Sequence, residues 1–328
     1  MIPAWLFLGS KEKPSRTAGG HPFYHKGSHP MYWDGYQAEF TTLADTCLGW
    51  HMDSIAAGMR GVYDAARAKF PGAKLSIKSV YNIDPESLQN ESIKHVEFGC
   101  MPSFNAYGMK VRMPPPRKVP FRSAGGHLHF GIGTTDMETA IPIVKALDAI
   151  IGVACVSLFA KFDDPKRRKL YGLPGEFRLP KHGIEYRPLS NAWLAHPFIS
   201  NLVIDVARNV VVLAQKGLFN KVWEATEEET VNCIVRCDVK AAREILERNR
   251  ETFIKLLEAS YHEWAKKREL EFLFNVFTHG MEWIIKDPND FVSNWNLHGT
   301  WVAHSGGSNM NVENLLMFQK NLKTPKKV

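Results

Sequence analysis

The order of sequence patterns predicts an α+β protein with a mainly antiparallel sheet and a helical C-terminal region. Short segments with period-two alternation, bounded by Gly and Pro, occupy the first two thirds of the chain. A long apolar helix interrupts them before the last strand, and beyond Trp193 the periodicity is helical throughout. Strands first and helices last is the signature of an α+β chain.

Residues 1 to 45 are rich in Gly, Pro and His and read as loops joining short strands. His21, His25 and His29 recur every four residues, but Pro22, Gly27 and Pro30 forbid the helix that would turn this spacing into a metal site. Arg16 to His21 nearly repeats Arg122 to His127 without the second histidine, and reads as coincidence. Asp34-Gly35 reads as a hairpin turn entering a strand. Leu48, Met52, Ile55, Met59, Val62 and Ala66 mark a helix within Asp45 to Lys69, stopped by Pro71-Gly72. Lys74 to Tyr81 and Lys94 to Cys100 read as strands, and Met113 to Pro116 as a stiff connector. A strand from Ala124 to Ile132 precedes Thr135-x-x-Glu138, a capping box opening a helix to about Ala160. A basic loop, 161 to 182, leads to the strand 183 to 188. Helices follow over about 197 to 216, 238 to 259 with Asp238 as N-cap, and 261 to 285. The tail from Ser305 is polar.

At 328 residues, 45% hydrophobic and 23% charged, the chain has ample material for a core. Lys and Arg outnumber Asp and Glu by 41 to 34, for a net charge of +7. Apart from Lys166-Arg167-Arg168-Lys169 the basic residues are dispersed, which argues against nucleic acid and suits polyanionic small ligands. Five scattered cysteines without a Cys-x-x-Cys pair fit a reducing cytoplasm; Cys233 and Cys237 read as small buried thiols. The apolar start, Ile2 to Leu8, lacks a basic leader, and the apolar stretch Ala149 to Ala160 is shorter than a membrane span. A soluble cytoplasmic protein is the expectation.

Two polar strand faces carry the chemistry. In Arg122-Ser-Ala-Gly-Gly-His127-Leu-His129-Phe-Gly131, alternation puts both histidines on one face. In Gly183-Ile-Glu185-Tyr-Arg187-Pro-Leu-Ser-Asn191 it does the same for Glu185 and Arg187, with Gly175-Glu176-Phe177-Arg178 just upstream. Two imidazoles, a carboxylate and two guanidinium groups on one face suit a divalent cation holding a phosphorylated ligand. Gly125-Gly126 would let the backbone approach a bulky anion.

These segments, with Asp163 to Gly172 and Gly175 to Trp193, resemble the phage-type carboxylate–amine ligases, type 2, of the glutamine-synthetase-like superfamily. Fainter likeness lies at Asp34 to Phe40, His95 to Cys100 and Asn105 to Tyr107, so that the resemblance spans roughly residues 16 to 195. It implies a sheet of glutamine-synthetase-like type, with a ligase core over residues 1–195 and a helical region over 196–328 packed on it. It also implies a reaction: ATP with Mg2+ (or Mn2+) phosphorylates a carboxylate, and an amine displaces the phosphate to form an amide. The carboxylate would belong to a peptide, an amino acid or a cell-wall-type substrate, and a phage-encoded chain would act in the host cytoplasm.

Carried over residue by residue, His127 resembles the metal-binding histidine and His129 the one touching nucleotide phosphate. Glu185 resembles the metal-binding glutamate, with Glu39 and Glu97 as further carboxylates. Arg187 and Arg178 resemble the arginines that clamp the transferring phosphoryl group. Apart from the resemblance, Lys166 to Lys169 reads as a solvated charge run or, being close in sequence to Arg178, as a source of phosphate contacts through Arg167 or Arg168. Tyr171, Trp193 and Trp223 read as core rather than adenine stackers, and Asn191 either binds substrate or caps a helix. The family pattern departs at two points. Its acidic first strand would precede Ile2, and Met101 stands where an aspartate is usual. The alternative expectation is therefore a degenerate, non-catalytic member that binds or assembles; a further one is another ATP-using chemistry, phosphotransfer or amidine transfer.

Overall fold

The computed structural model describes residues 1–17, 29–98, 103–110, 115–261 and 265–297. His21, His25, Cys100, Met101, Met113-Pro114 and the tail from Ser305 lie outside them. Among the described residues the strands are β1 (Ser15–Arg16), β2 (Pro30–Asp34), β3 (Gln37–Phe40), β4 (Val80–Asn82), β5 (Phe104–Asn105), β6 (Phe121–Ser123), β7 (Leu128–Gly131), β8 (Glu176–Arg178) and β9 (Gly183–Tyr186). All pairings are antiparallel, in three sheets ordered β1-β2-β3, β4-β6 and β5-β8-β9-β7. Helices with antiparallel sheets make the α+β class.

The chain forms two compact units. The first takes its described residues from 1–98, 115–124 and 289–297, the second from 103–110 and 125–288.

In the first unit, β2 and β3 form the hairpin expected at Asp34-Gly35, where Gly35 has φ +54°, a conformation that a side chain would strain. Helix Leu48–Lys69 packs on this hairpin, with Met31, Val62, Leu8 and Ala4 forming a buried cluster. A second cluster joins Tyr36, Ile83, Leu88 and Val96. Arg122, which opens the first sequence motif, is a strut here: it is 2% exposed, donates to the carbonyls of Val119, Phe121 and Val96, and lies over the Phe98 ring.

Two expected strands are corrected in this unit. Of Lys74 to Tyr81 only the end pairs, as β4 against β6. Residues 93–96 instead form a helical turn. Glu91 accepts from Ser92 N at 2.7 Å and contacts His95 Nδ1 at 2.8 Å, an i,i+4 pair that an extended chain could not make.

The second unit is built around a long helical stretch in the segments Met137–Leu147, Asp148–Gly152 (a π turn) and Val153–Phe159. Its N-cap is Asp136, which accepts from Thr139 N at 2.7 Å, so the expected Thr135–Glu138 box is replaced by a carboxylate one residue on. Met137–Phe162 and Pro197–Gln215 are long and apolar enough to cross a bilayer, yet 89% and 67% of their most apolar windows are buried inside the protein, as in core helices. Helix Pro197–Gln215 packs against the first segment, and helices Glu227–Arg236, Val239–Arg248, Arg250–Tyr261 and Lys267–His279 complete the bundle. Asp238 is the N-cap expected, accepting from Ala241 N. The helix expected over 238–259 breaks at Asn249, whose amide bonds to the carbonyls of Glu224 and Ile245. The last is shorter than 261–285 and stops at Gly280, φ +92°.

The π turn places Asp148 behind the sheet with no exposure. Its carboxyl accepts from Tyr186 OH of β9 at 2.7 Å, from the backbone N–H of Gly175 next to β8, and from Tyr107. Burial pushes its pKa up to about 7, against the lowering effect of those hydrogen bonds. Asp148→Ala would strand three buried donors, and we expect a loss of about 3–5 kcal/mol in urea denaturation. A loss below about 1 kcal/mol would show that the carboxyl does not hold the strands.

Candidate active site

The polar face of the four-stranded sheet follows from its register. His129 pairs with Glu185, and Glu185 with Arg178, so these three form one row across β7, β9 and β8. Two residues along, Arg187 N donates to the Glu176 carbonyl at 3.1 Å and Asn105 pairs with Glu176, which continues a second row through Asn105, Glu176, Arg187 and His127. Directly opposed residues share a face, so both rows look the same way. The intervening Leu128, Phe177, Ile184 and Tyr186 are all buried on the other face, against the helical stretch that carries Asp148.

Charges alternate over this face and hold one another. Arg187 is fully buried and donates through Nη1 to Glu185 Oε1. Arg178 Nη1 lies 3.7 Å from Glu185 Oε2, and His127 Nδ1 lies 3.1 Å from Glu185 Oε1. Burial alone would raise the Glu185 pKa, but the bond to His127 and the guanidinium groups of Arg187 and Arg178 outweigh it and bring the value to about 2. Burial lowers the His127 pKa to about 4, with Arg187 acting in the same direction and Glu185 opposing. The site at neutral pH therefore combines an ionised carboxylate with a neutral imidazole.

Which nitrogen of His127 carries the proton follows from its neighbours. Nδ1 lies 3.1 Å from the Glu185 carboxylate, which can only accept, and 3.4 Å from Arg187 Nη1, which can only donate; the shorter contact makes it the N–H. Nε2 is then a lone pair, buried and without a hydrogen-bond partner among the described residues. A Cβ added at Gly125 would come within 2.9 Å of Nε2, so this glycine keeps the space beside it open. A carboxylate fixing one imidazole nitrogen while the other is free is how proteins orient a metal-binding histidine. On that observation the site fits a divalent cation through His127 Nε2, with Glu185 as the orienting group. Among the described residues no three His, Cys, Asp or Glu side chains are grouped to hold a metal, so most other ligands would be phosphate oxygens and water, as magnesium accepts.

The remaining candidates are placed as follows. His129 is exposed, with Nδ1 3.1 Å from His182 Nε2, a neighbour the sequence did not single out. Arg168 and Arg167 are buried and both bond the carboxylate of Asp163, Arg168 at 2.8 Å, while Arg167 also donates to the Pro188 carbonyl. They brace the basic loop from within. Gly126 serves packing: Trp193 donates to its carbonyl at 3.0 Å, and a Cβ there would strike the indole. Tyr171, Trp193 and Trp223 are buried, as expected of core residues. Ser190 caps the turn that Asn191 opens. Glu39, on β3 opposite Tyr32, and Glu97, which ends the turn 93–96, belong to the first unit.

Glu176 is the member that sequence reasoning passed over. Buried on the polar face, it accepts from Gly172 N at 2.6 Å, and burial raises its pKa. Its signal was in plain view, because Glu176-x-Arg178 repeats the spacing of Glu185-x-Arg187.

The description phage phiEco32-like COOH–NH2 ligase, type 2, attaches to the family whose model matches residues 117–297. That range is more than half of the chain and takes in all of β7, β8 and β9. The chain belongs to this family of carboxylate–amine ligases. Its upstream segments, including Glu39 and Glu97, fall outside the matched range. No curated protein and no solved structure matches the chain.

The histidine makes stability depend on pH. A folded pKa near 4 against about 6.5 unfolded means that the unfolded chain takes up the proton first as pH falls. Stability from this group is thus full above about pH 6.5 and declines down to about pH 4. His127→Asn keeps an N–H for Glu185 and does not titrate. Urea denaturation at pH 7 and pH 5 should show a smaller loss in the variant than in wild type; equal losses would mean that His127 is not held neutral.

Proposed function

We propose that the chain is an ATP-dependent carboxylate–amine ligase working through an acyl phosphate, with the polar face of β7, β8 and β9 holding the phosphates. The reading is supported above all by the Glu185–His127 contact, which presents an oriented imidazole lone pair beside two arginines within a ligase family. In the first step a carboxylate oxygen takes the γ-phosphoryl group and ADP leaves. In the second, the amine nitrogen attacks the acyl carbon, phosphate leaves with the bonding pair, and the amine proton passes to water. The substrate is a peptide, an amino acid or a cell-wall-type carboxylate, acted on in the cytoplasm.

Such chemistry asks chiefly for positioning and charge neutralisation. Arg178, with its side chain 30% exposed, faces the ligand and neutralises the transferring group. Arg187, wholly buried, holds the Glu185 carboxylate and places positive charge beneath it. His129 and His182 at the open edge contact the nucleotide phosphates. Magnesium or manganese bound at His127, when present, would supply further charge neutralisation.

A second reading, a non-catalytic member that binds or assembles, is favoured by one observation: both Glu185 oxygens are already engaged by arginine or histidine. ADP release with ATP and a panel of amino acids and peptides, with and without Mg2+ or Mn2+, separates the two. Metal-dependent release with at least one carboxylate–amine pair is expected. Arg178→Lys should cut it by about 100-fold or more, since an ammonium cannot grip phosphate in two places, while the circular dichroism melt is unchanged. ATP binding without ADP release from any pair would support the non-catalytic reading.

A further inference from the structure

The second unit holds a cavity of about 330 Å³ on the helical side, lined by Tyr107, Lys145, Glu227 and apolar residues including Ile141, Ala214 and Phe219. Its size is at the low end of small-ligand sites. None of its lining residues belongs to the polar sheet face, and Tyr107 meets Asp148, which lies behind that sheet.

The cavity carries one charge of each sign, side by side. Lys145 Nζ lies 2.6 Å from Glu227 Oε1 and 5.2 Å from the centroid of the Tyr107 ring. An ammonium has three donors, and the bond to Glu227 uses one. Glu227 is 64% exposed and Lys145 28%, so the pair is partly solvated and opens at little cost. A ligand that presents a carboxylate to Lys145 and an ammonium to Glu227 replaces one ion pair with two, and an α-amino acid carries these groups one carbon apart. Apart from Asn220 and Thr230 the rest of the lining is apolar or aromatic, which favours an apolar side chain. We infer that this cavity is a binding site for a free α-amino acid with an apolar side chain, separate from the phosphate-holding face.

Isothermal titration calorimetry on the full chain tests this with L-leucine and L-phenylalanine, against 3-phenylpropanoate and 2-phenylethylamine, which each lack one charge. The amino acids should bind, and the single-charge analogues should bind at least about tenfold more weakly. Ala214→Trp fills the cavity from its wall and should abolish binding with an unchanged melting temperature; Ala225→Phe serves the same purpose if the first variant does not fold. Lys145→Met should weaken the amino acids and tighten 2-phenylethylamine, which then no longer competes with the lysine for Glu227. No heat from either amino acid up to about 10 mM, equal affinity for the single-charge analogues, or binding unaltered in a folded cavity-filled variant would each overturn the assignment. The readout is binding without ATP, so it stands or falls independently of the ligase reaction.

Discussion

The register of β9 between β7 and β8 is the constraint on which the second unit depends. Side chains alternate with a period of two, so a slip of β9 by one residue would send Ile184 and Tyr186 to the polar side and turn Glu185 against the helices, away from His129 and Arg178. Asp148 guards against that slip from behind. Its carboxyl reaches the phenol of Tyr186 and the backbone at Gly175, gripping β9 and the entry to β8 from one fixed point on the core helix. The π turn at Asp148–Gly152 is thus part of the site's support.

A buried charged face is costly to assemble, and its members offset the cost through each other. Glu185 draws on Arg187, Arg178 and His127, and Glu176 takes the N–H of Gly172; in the loop before β8, Asp163 pairs with Arg167 and Arg168. Buried ion pairs of this kind add little net stability, but removing one partner leaves an uncompensated charge. What they supply is geometry: the Glu185 carboxylate is held between Arg187, Arg178 and His127, and its contact assigns the His127 proton.

Local patterns were legible where one short-range rule dominates. The Asp34-Gly35 hairpin, the helix ending at Lys69, the Asp238 cap and the pairing of His127 with Glu185 on one face all follow from turn chemistry, caps or alternation. Misreadings arose where a side-chain contact overrode such a rule. Residues 94–100 alternate like a strand, yet 93–96 turn as a helix under the His95–Glu91 contact. Arg168 stands in a basic run that reads as solvated or phosphate-binding, and it is buried against Asp163, five residues upstream. Gly126 looks like an anion cradle, but it makes room for Trp193.

The sequence alone determined the fold class, the family and the identity of the polar face, because alternation and residue chemistry are written into neighbouring positions. Only the tertiary structure decided roles within that face. Glu176 joins the second row because β8 pairs with β9, and Arg187 becomes a buried support where Arg178 stays accessible, although both sit in the same Glu-x-Arg spacing. It also brought Lys145 and Glu227, far apart in the chain, into one cavity. Burial and long-range pairing are properties of packed segments, and no window of sequence contains them.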